Sequence, residues 1–176
     1  MCSSPIARET KPISDVAFGI PAGNRGDSIR HMAEEPASSI TVHHHFDADQ
    51  RAVWDAWTDP EVVRRWWGSD PGGVVTSASL DVRPGGRFVI SFQDSSGDLH
   101  TSTGEYLRIE EPTELDFTWS WLSETNAPSR VSVVFTPHDT GTRMRFVHGE
   151  LRGVSDHDYA DGWRRTFAKL DRVLAE

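Results

Sequence analysis

The placement of tryptophan is the feature that most constrains this chain. Seven tryptophans occur in 176 residues, and none of them lies before residue 54. Four fall on short helical patterns, two alternate along a strand, and one belongs to a C-terminal helical stripe. Large aromatic side chains that converge from helices and a sheet build either a bulky core or an apolar pocket. The sequence therefore indicates a cavity more clearly than a reaction. The seven residues are Trp54, Trp57, Trp66, Trp67, Trp119, Trp121 and Trp163.

The composition is that of an acidic globular protein. The chain is 36% hydrophobic and 26% charged, with a net charge of −9. This charge argues against nucleic acid and anionic membrane surfaces as partners, because both are negative themselves. The single cysteine, Cys2, excludes an internal disulfide framework. No apolar run approaches membrane-spanning length and no secretory leader is recognisable, so we expect a cytoplasmic protein without membrane insertion.

Residues 1–37 differ in composition from the remainder of the chain. They contain no tryptophan or tyrosine and show scattered glycine, proline, serine and charge without a sustained period. Such a segment cannot bury enough apolar surface to offset the entropy of ordering it. We therefore predict a disordered N-terminal tail over 1–37 and one ligand-binding domain over 38–176. Met32 reads as a natural chain start just ahead of the first strand.

The domain begins with a strand and two short helices. Residues 39–46 alternate, with His44 on the apolar face and its two histidine neighbours on the other. Asp47 is the predicted N-cap of a first helix that carries Trp54. Asp59 followed by Pro60 predicts the start of a second helix that extends through residue 67.

A run of antiparallel strands and one long helix follow. Strands are predicted over 74–82, 87–93, 99–110, 115–122, 131–137 and 142–148, separated by turn residues. Gly104 inside the third of these indicates a bulge or a close approach. Ser155 and Asp158 have the spacing of a capping box, and apolar residues then recur at helical spacing from Tyr159 to Leu174. The pattern predicts an α+β fold in which a curved sheet of six or seven strands wraps round the C-terminal helix and leaves space between them.

Several short motifs follow one another along the chain: Phe46-Asp47-Ala48, residues 53–61, Arg65-Trp66-Trp67-Gly68, residues 84–88, Gly104-Glu105-Tyr106 with Pro112 and Leu115, residues 142–148, and Gly162-Trp163. In their order and spacing they resemble one known family, the Hsp90-ATPase-activator-homologue branch of the START/Bet v 1-like (SRPBCC) superfamily. The resemblance covers roughly residues 38–176 and implies a helix-grip fold whose cavity binds hydrophobic small molecules. It does not imply a single activity, and relatives include lipid carriers, hormone receptors and polyketide aromatases or cyclases. Residues 1–37 are too short and too poor in apolar residues to be the additional domain of the eukaryotic co-chaperone, so that role is not carried over.

The candidates for polar chemistry are few. His43 and His45 share a strand face, but no third ligand is spaced to complete a metal site, so we predict no metal and expect both to face solvent. His148 alternates with inward-facing residues and is interpreted either as structural or as a ligand-orienting group. Glu105 faces inward only if Gly104 leaves the strand register unchanged. No nucleophile elbow, phosphate-binding loop or dinucleotide fingerprint is present.

We therefore expect a binding protein for a hydrophobic or aromatic small molecule, with no cofactor and no catalytic residue assigned. A weak homodimer is left open. One alternative is a cyclase- or hydrolase-like enzyme that uses His148 or Glu105 as an acid or base. The other is a stress-related or chaperone-associated interaction module. The predicted ligand-binding residues are Trp66, Trp67, Phe92, Trp119, Trp121, Phe146, His148 and Trp163.

Overall fold

A computed structural model describes residues 38–151 and 158–176 and contains seven strands and three helices. The predictions of a disordered tail over 1–37 and of a cap at Ser155 fall outside these residues. Most element bounds lie within about three residues of the predicted ones. The elements are β1 (Ser38–Phe46), α1 (Gln50–Thr58), α2 (Pro60–Trp66), β2 (Val74–Leu80), β3 (Arg87–Gln93), β4 (Leu99–Glu110), β5 (Glu114–Trp121), β6 (Ser129–His138), β7 (Gly141–Leu151) and α3 (Tyr159–Leu174).

All seven strands form one antiparallel sheet in the order β1-β7-β6-β5-β4-β3-β2. β1 crosses to pair with β7, where Val42 lies opposite Phe146. The remaining neighbours follow chain order, as expected for a meander joined by short turns. This arrangement confirms the predicted α+β class with its two short helices after the first strand and its C-terminal helix.

The period-two patterns of the sequence set the buried face of the sheet. Phe88, Ile90 and Phe92 of β3 are all buried, while Val89 between them is 41% exposed. On β5, Phe117 and Trp119 are buried on the same inner side. Because one face of the sheet is apolar, it needs a cover, which α3 supplies together with α1 and α2.

Each of the two short helices begins after an aspartate N-cap. Asp59 caps α2 as predicted: its carboxylate accepts from the backbone N–H of Glu61 at 2.8 Å, and Pro60 takes the first helical position. The prediction of Asp47 as the cap of α1 is wrong. Asp49 caps that helix and accepts from the N–H of Ala52 at 2.8 Å. Only a carboxylate immediately before the first turn reaches its free N–H groups, and Asp47 is two residues too early.

The last helix begins after Asp158, whose carboxylate accepts from the backbone N–H of Asp161 at 3.0 Å. Asp158 is therefore the N-cap of α3. Trp163, Phe167 and Leu170 are buried along the helix, in agreement with the predicted stripe.

Gly104 marks a close approach between β4 and its neighbours. A Cβ atom added there would lie 1.8 Å from the carbonyl oxygen of Thr118 and 2.5 Å from Phe88. The register of β4 shifts farther along, between Tyr106 and Arg108. Tyr106 is consequently the inward residue, and Glu105 is exposed.

The histidine run on β1 divides between the two faces of the sheet as predicted. His43 and His45 are exposed, whereas His44 is partly buried against α3. There Nε2 of His44 lies 2.9 Å from a carboxylate oxygen of Asp171. This contact joins the first strand to the last helix.

Candidate functional site

The open space between sheet and helix lies at one end of α3. A cavity of about 260 Å³ is bounded by the first two turns of α3, by the inner face of β3 and β5, and by the loop that follows α2. It opens to solvent on one side. Its lining residues are Trp67, Gly68, Ser69, Phe92, Trp119, Trp121, Asp158, Tyr159, Asp161, Gly162, Trp163, Arg165 and Thr166.

Aromatic side chains fill the space nearer the middle of α3. The ring centroid of Trp57 lies 5.0 Å from that of Trp66, 6.1 Å from Phe167 and 6.3 Å from Phe146. A small void beside Trp57, bounded mainly by β3, β4 and β5, has a volume of only about 10 Å³. Such a volume holds about one water molecule and no organic ligand.

The structure divides the eight predicted ligand-binding residues into two groups. Five of them line the cavity: Trp67, Phe92, Trp119, Trp121 and Trp163. The other three, Trp66, Phe146 and His148, are fully buried in the core and do not line it. Strand parity and helical period place all eight inside, but they do not distinguish a residue that packs against the core from one that borders open space. Contact of the five with a ligand stays a prediction.

The loop after α2 forms one wall of the cavity. Trp67 ends the helix, and its indole N–H donates to Oγ of Ser102 on β4 at 3.0 Å. Gly68 then takes a φ of +93°, and a Cβ there would lie only 3.0 Å from the ring of Phe92. Glycine is therefore required for both the backbone conformation and the close approach.

A lysine on α3 holds this loop in place. Nζ of Lys169 donates to the carbonyl oxygens of Trp67 at 3.4 Å, Gly68 at 3.2 Å and Asp70 at 3.2 Å. Burial lowers the pKa of Lys169, while the nearby charge of Asp70 opposes that shift. The lysine thus ties residues 67–70, of which 67–69 line the cavity, to the helix that lines it as well.

The opposite walls consist largely of aromatic rings in edge-to-face contact. The rings of Trp119 and Trp121 are 4.7 Å apart, and Trp119 lies 5.5 Å from Tyr159. Trp163 is in edge-to-face contact with Trp67, with ring centroids 5.7 Å apart. Edge-to-face packing of this kind fixes the orientation of the rings. The indole N–H of Trp119 has no hydrogen-bond partner among residues 38–151 and 158–176.

His148 lies behind this wall in a complete hydrogen-bond network. Its Nδ1 accepts from the indole N–H of Trp163 at 3.1 Å. Its Nε2 lies 2.7 Å from Oγ of Ser129, whose hydroxyl proton is donated to the carbonyl of Trp119 at 2.9 Å. Since that proton is already used, Nε2–H of His148 must be the donor to Ser129. Burial lowers the pKa of His148 to about 4, so the ring is neutral at pH 7.

The sequence patterns did not predict the polar part of the cavity. Asp161 pairs with Arg165 at 2.7 Å, one helical turn apart at the mouth of the cavity, and Asp158 is occupied as the N-cap. Tyr159 and Gly162 also line the cavity. The sequence signal that could have identified these residues is their position in the first turn of α3, next to Trp163. Residues in the first turn of a helix lie at the same end of the space between sheet and helix.

Neither of the two acid or base candidates borders the cavity. Glu105 is exposed on β4 and His148 is enclosed in the core. Within the described ranges, no cluster of three or more histidine, cysteine or acidic residues has the geometry of a metal site. In the same ranges no helix is both long and apolar enough to cross a membrane.

The fold and the cavity together define a helix-grip domain of the START/Bet v 1-like class, with a curved antiparallel sheet closed by a C-terminal helix. The chain belongs to the family described as activator of Hsp90 ATPase homolog 1-like protein, whose model matches residues 47–175. The predicted family membership is therefore confirmed. A comparison with curated proteins found no significant match.

Solved structures with the same fold come from several bacteria. The AHSA1-like protein from Aeromonas hydrophila is 25% identical, with a TM-score of 0.66 over 78% of this chain and 92% of that one. Protein Ms6760 from Mycobacterium smegmatis is 23% identical, with a TM-score of 0.68 over 77% and 90%. CalU16 from Micromonospora echinospora is 25% identical, with a TM-score of 0.58 over 79% and 77%. These likenesses support the fold.

Proposed function

We propose that this protein binds a small hydrophobic or aromatic molecule in the cavity at the N-terminal end of α3. The observation that carries the proposal is the convergence of five predicted aromatic residues on one open space of about 260 Å³. Ligand pockets are typically apolar and aromatic with a few polar groups, and this volume lies just below their usual range. A compact ligand of one to three rings fits best.

The rigidity of the walls supports binding over simple core packing. Trp67 is fixed by Ser102, Trp163 is fixed by His148, and Lys169 holds the intervening loop. A preorganised site loses little conformational entropy when a ligand enters. Stacking on tryptophan faces and removal of apolar surface from water then supply the affinity.

The enzyme alternative has less support. Its two candidate groups, His148 and Glu105, are not cavity residues. The carboxylates that do line the cavity already have partners, since Asp158 caps α3 and Asp161 pairs with Arg165. We do not assign a reaction to the site.

The interaction-module alternative depends on exposed apolar side chains. Val74 is 65% exposed and Leu99 is 66% exposed near one end of the sheet. Gln93 lies between them in the strand ladder, opposite both residues. The two apolar side chains are therefore separated by a polar one and do not form the continuous patch that marks an interface.

Equilibrium dialysis with naphthalene tests the binding proposal. We expect saturable binding of one molecule per chain, with a dissociation constant on the order of 10 to 100 µM for so small a ligand. Mass spectrometry of small molecules retained through native purification would identify the natural ligand class. If naphthalene and a set of other one- to three-ring hydrocarbons all fail to saturate, the proposal is wrong.

A further inference from the structure

A second cavity lies beside the first and shares a wall with it. It has a volume of about 370 Å³ and is also open to solvent. Four residues border both cavities: Ser69, Phe92, Trp121 and Arg165. A ligand that lies against Phe92 and Trp121 in the first cavity therefore has access to the second.

The second cavity contains a histidine held by a carboxylate. Nε2 of His100 lies 2.9 Å from Oδ2 of Asp94. The other oxygen of Asp94 accepts from the backbone N–H groups of Ser96 and Asp98, both at 2.9 Å. These contacts fix the carboxylate within the turn between β3 and β4. The hydrogen bond from His100 is the largest cause of a lowered pKa for Asp94, so Asp94 is ionised at neutral pH.

This contact determines which nitrogen of the His100 ring is available. An ionised carboxylate only accepts hydrogen bonds, so Nε2 of His100 must carry the proton that Asp94 receives. In the neutral ring Nδ1 is then an unprotonated acceptor. Within residues 38–151 and 158–176, Nδ1 of His100 makes no hydrogen bond. Because Asp94 engages Nε2, Nδ1 is the one acceptor nitrogen that His100 brings to the lining of the second cavity.

The orientation of the ring is also fixed by aromatic contacts. His100 stacks on Phe92 with centroids 5.3 Å apart and an angle of 28° between the planes. Trp121 lies 6.0 Å away on the shared wall. The side chain of His100 is 35% exposed, so it is supported by these rings and yet accessible.

We propose that the second cavity is a polar subsite in which Nδ1 of His100 accepts a hydrogen bond from an O–H or N–H group of the ligand. This inference rests on the proposed function and narrows the ligand to an aromatic or alicyclic molecule that carries a hydroxyl or amino substituent. Its rings occupy the cavity at the end of α3, and the substituent extends past Phe92 and Trp121.

The charges around the subsite favour a neutral hydrogen-bond donor over an anion. Asp94 and Asp70 both line it, and hydrogen bonds from Ser95 lower the pKa of Asp70 to about 2. Both carboxylates are therefore negative at pH 7. The guanidinium of Arg165, which also lines the subsite, is paired with Asp161 at 2.7 Å. A ligand carboxylate would face two negative side chains and compete for an arginine already engaged.

Two probes that differ only in a hydrogen-bond donor test the subsite: 2-naphthol and 2-methoxynaphthalene, measured by equilibrium dialysis. The wild-type protein should prefer the naphthol, after correction for the partition of each probe into octanol, by about fivefold, the usual contribution of one neutral hydrogen bond. In His100→Phe, which keeps the stacking ring and removes the acceptor, this preference should disappear. If the substitution acted only by loosening the β3–β4 turn, binding of both probes would weaken equally and the preference for the naphthol would remain.

His138→Phe is the matched control. The His138 side chain is 34% exposed and lies 2.8 Å from Asp139, at the hairpin between β6 and β7, and it borders neither cavity. This variant should keep the wild-type preference. Equal binding of the two probes to the wild type, or a preference that survives in His100→Phe, would overturn the subsite while leaving the binding cavity intact. Failure of both probes to bind would instead contradict the proposed function.

Discussion

The indole N–H of Trp163 donates a 3.1 Å hydrogen bond to Nδ1 of His148 and thereby fixes one wall of the cavity from behind. The opposite nitrogen of the ring donates to Ser129, whose hydroxyl in turn donates to the carbonyl of Trp119. Two cavity-lining tryptophans are thus connected through one neutral histidine. The sequence left open whether this histidine is structural or orients a ligand, and the structure places it in contact with the residues that border the cavity.

This network predicts a pH-dependent contribution to stability. The pKa of His148 is lowered from 6.5 to about 4 by burial, so between these values the unfolded chain binds a proton that the folded chain does not. The stabilisation that comes from this difference in proton binding is fully present above pH 6.5 and is lost as the pH falls towards 4. Over that interval it amounts to about 3 kcal/mol of unfolding free energy.

Denaturant unfolding of the wild type and His148→Gln at pH 7 and pH 4 measures this effect. The Gln variant carries no titrating ring, so its loss of stability between the two pH values should be smaller by about 3 kcal/mol. Contributions from the other ionisable groups are common to both proteins and cancel in the comparison. Equal pH dependence would mean that His148 is accessible to protons in the folded protein.

Lys169→Met should loosen the loop that forms the wall opposite Trp163. The methionine keeps the apolar part of the side chain but removes the donor to the carbonyls of Trp67, Gly68 and Asp70. We expect a loss of about 1–2 kcal/mol in unfolding free energy and faster amide hydrogen exchange in residues 67–70. Arg172→Met, an exposed change on the same helix, should alter neither. Unchanged exchange in Lys169→Met would show that the loop is held by packing alone.

Gly104→Ala tests the close approach between β4 and β5. The new Cβ would lie 1.8 Å from the carbonyl oxygen of Thr118, so the strands must separate. We expect a loss of more than about 3 kcal/mol, visible as a large fall in the thermal midpoint. Gly149→Ala on β7 is the control, because its Cβ would meet only Ser39, at 3.8 Å. A midpoint for Gly104→Ala equal to that of the control would mean that the strands are not packed as described.

The sequence contains enough information for the fold and for the inward direction of most aromatic residues. Phe92, Trp119 and Trp163 were placed correctly because period-two and helical patterns report directly which face of an element is apolar. The structure shows that Trp66 and Phe146, which were predicted to bind ligand, instead fill the core beside Trp57. Whether a buried ring packs against another ring or borders open space depends on three-dimensional packing, which no local pattern records.

The polar residues near the cavity were harder to find. His100 contacts Asp94, six residues earlier in the chain, across the turn between β3 and β4. Its stacking on Phe92 depends on the pairing of β3 with β4. An isolated histidine on a predicted strand gives no sign of either partner. The cap at Asp49 was missed for a simpler reason, since two aspartates lie close to the helix start and only the geometry selects between them.

Filling the cavity from Gly162 tests the proposed function most directly. Gly162 lines the cavity from the first turn of α3, and a Cβ there meets only Ser69, at an ordinary 3.8 Å. Gly162→Leu should therefore project into the open space without a clash, and replacing a helical glycine should keep or raise the thermal midpoint. Ala168→Leu on the exposed face of the same helix is the control. We predict that naphthalene binding weakens at least about tenfold in Gly162→Leu and is unchanged in Ala168→Leu. Wild-type affinity in a folded Gly162→Leu protein would contradict binding in this cavity.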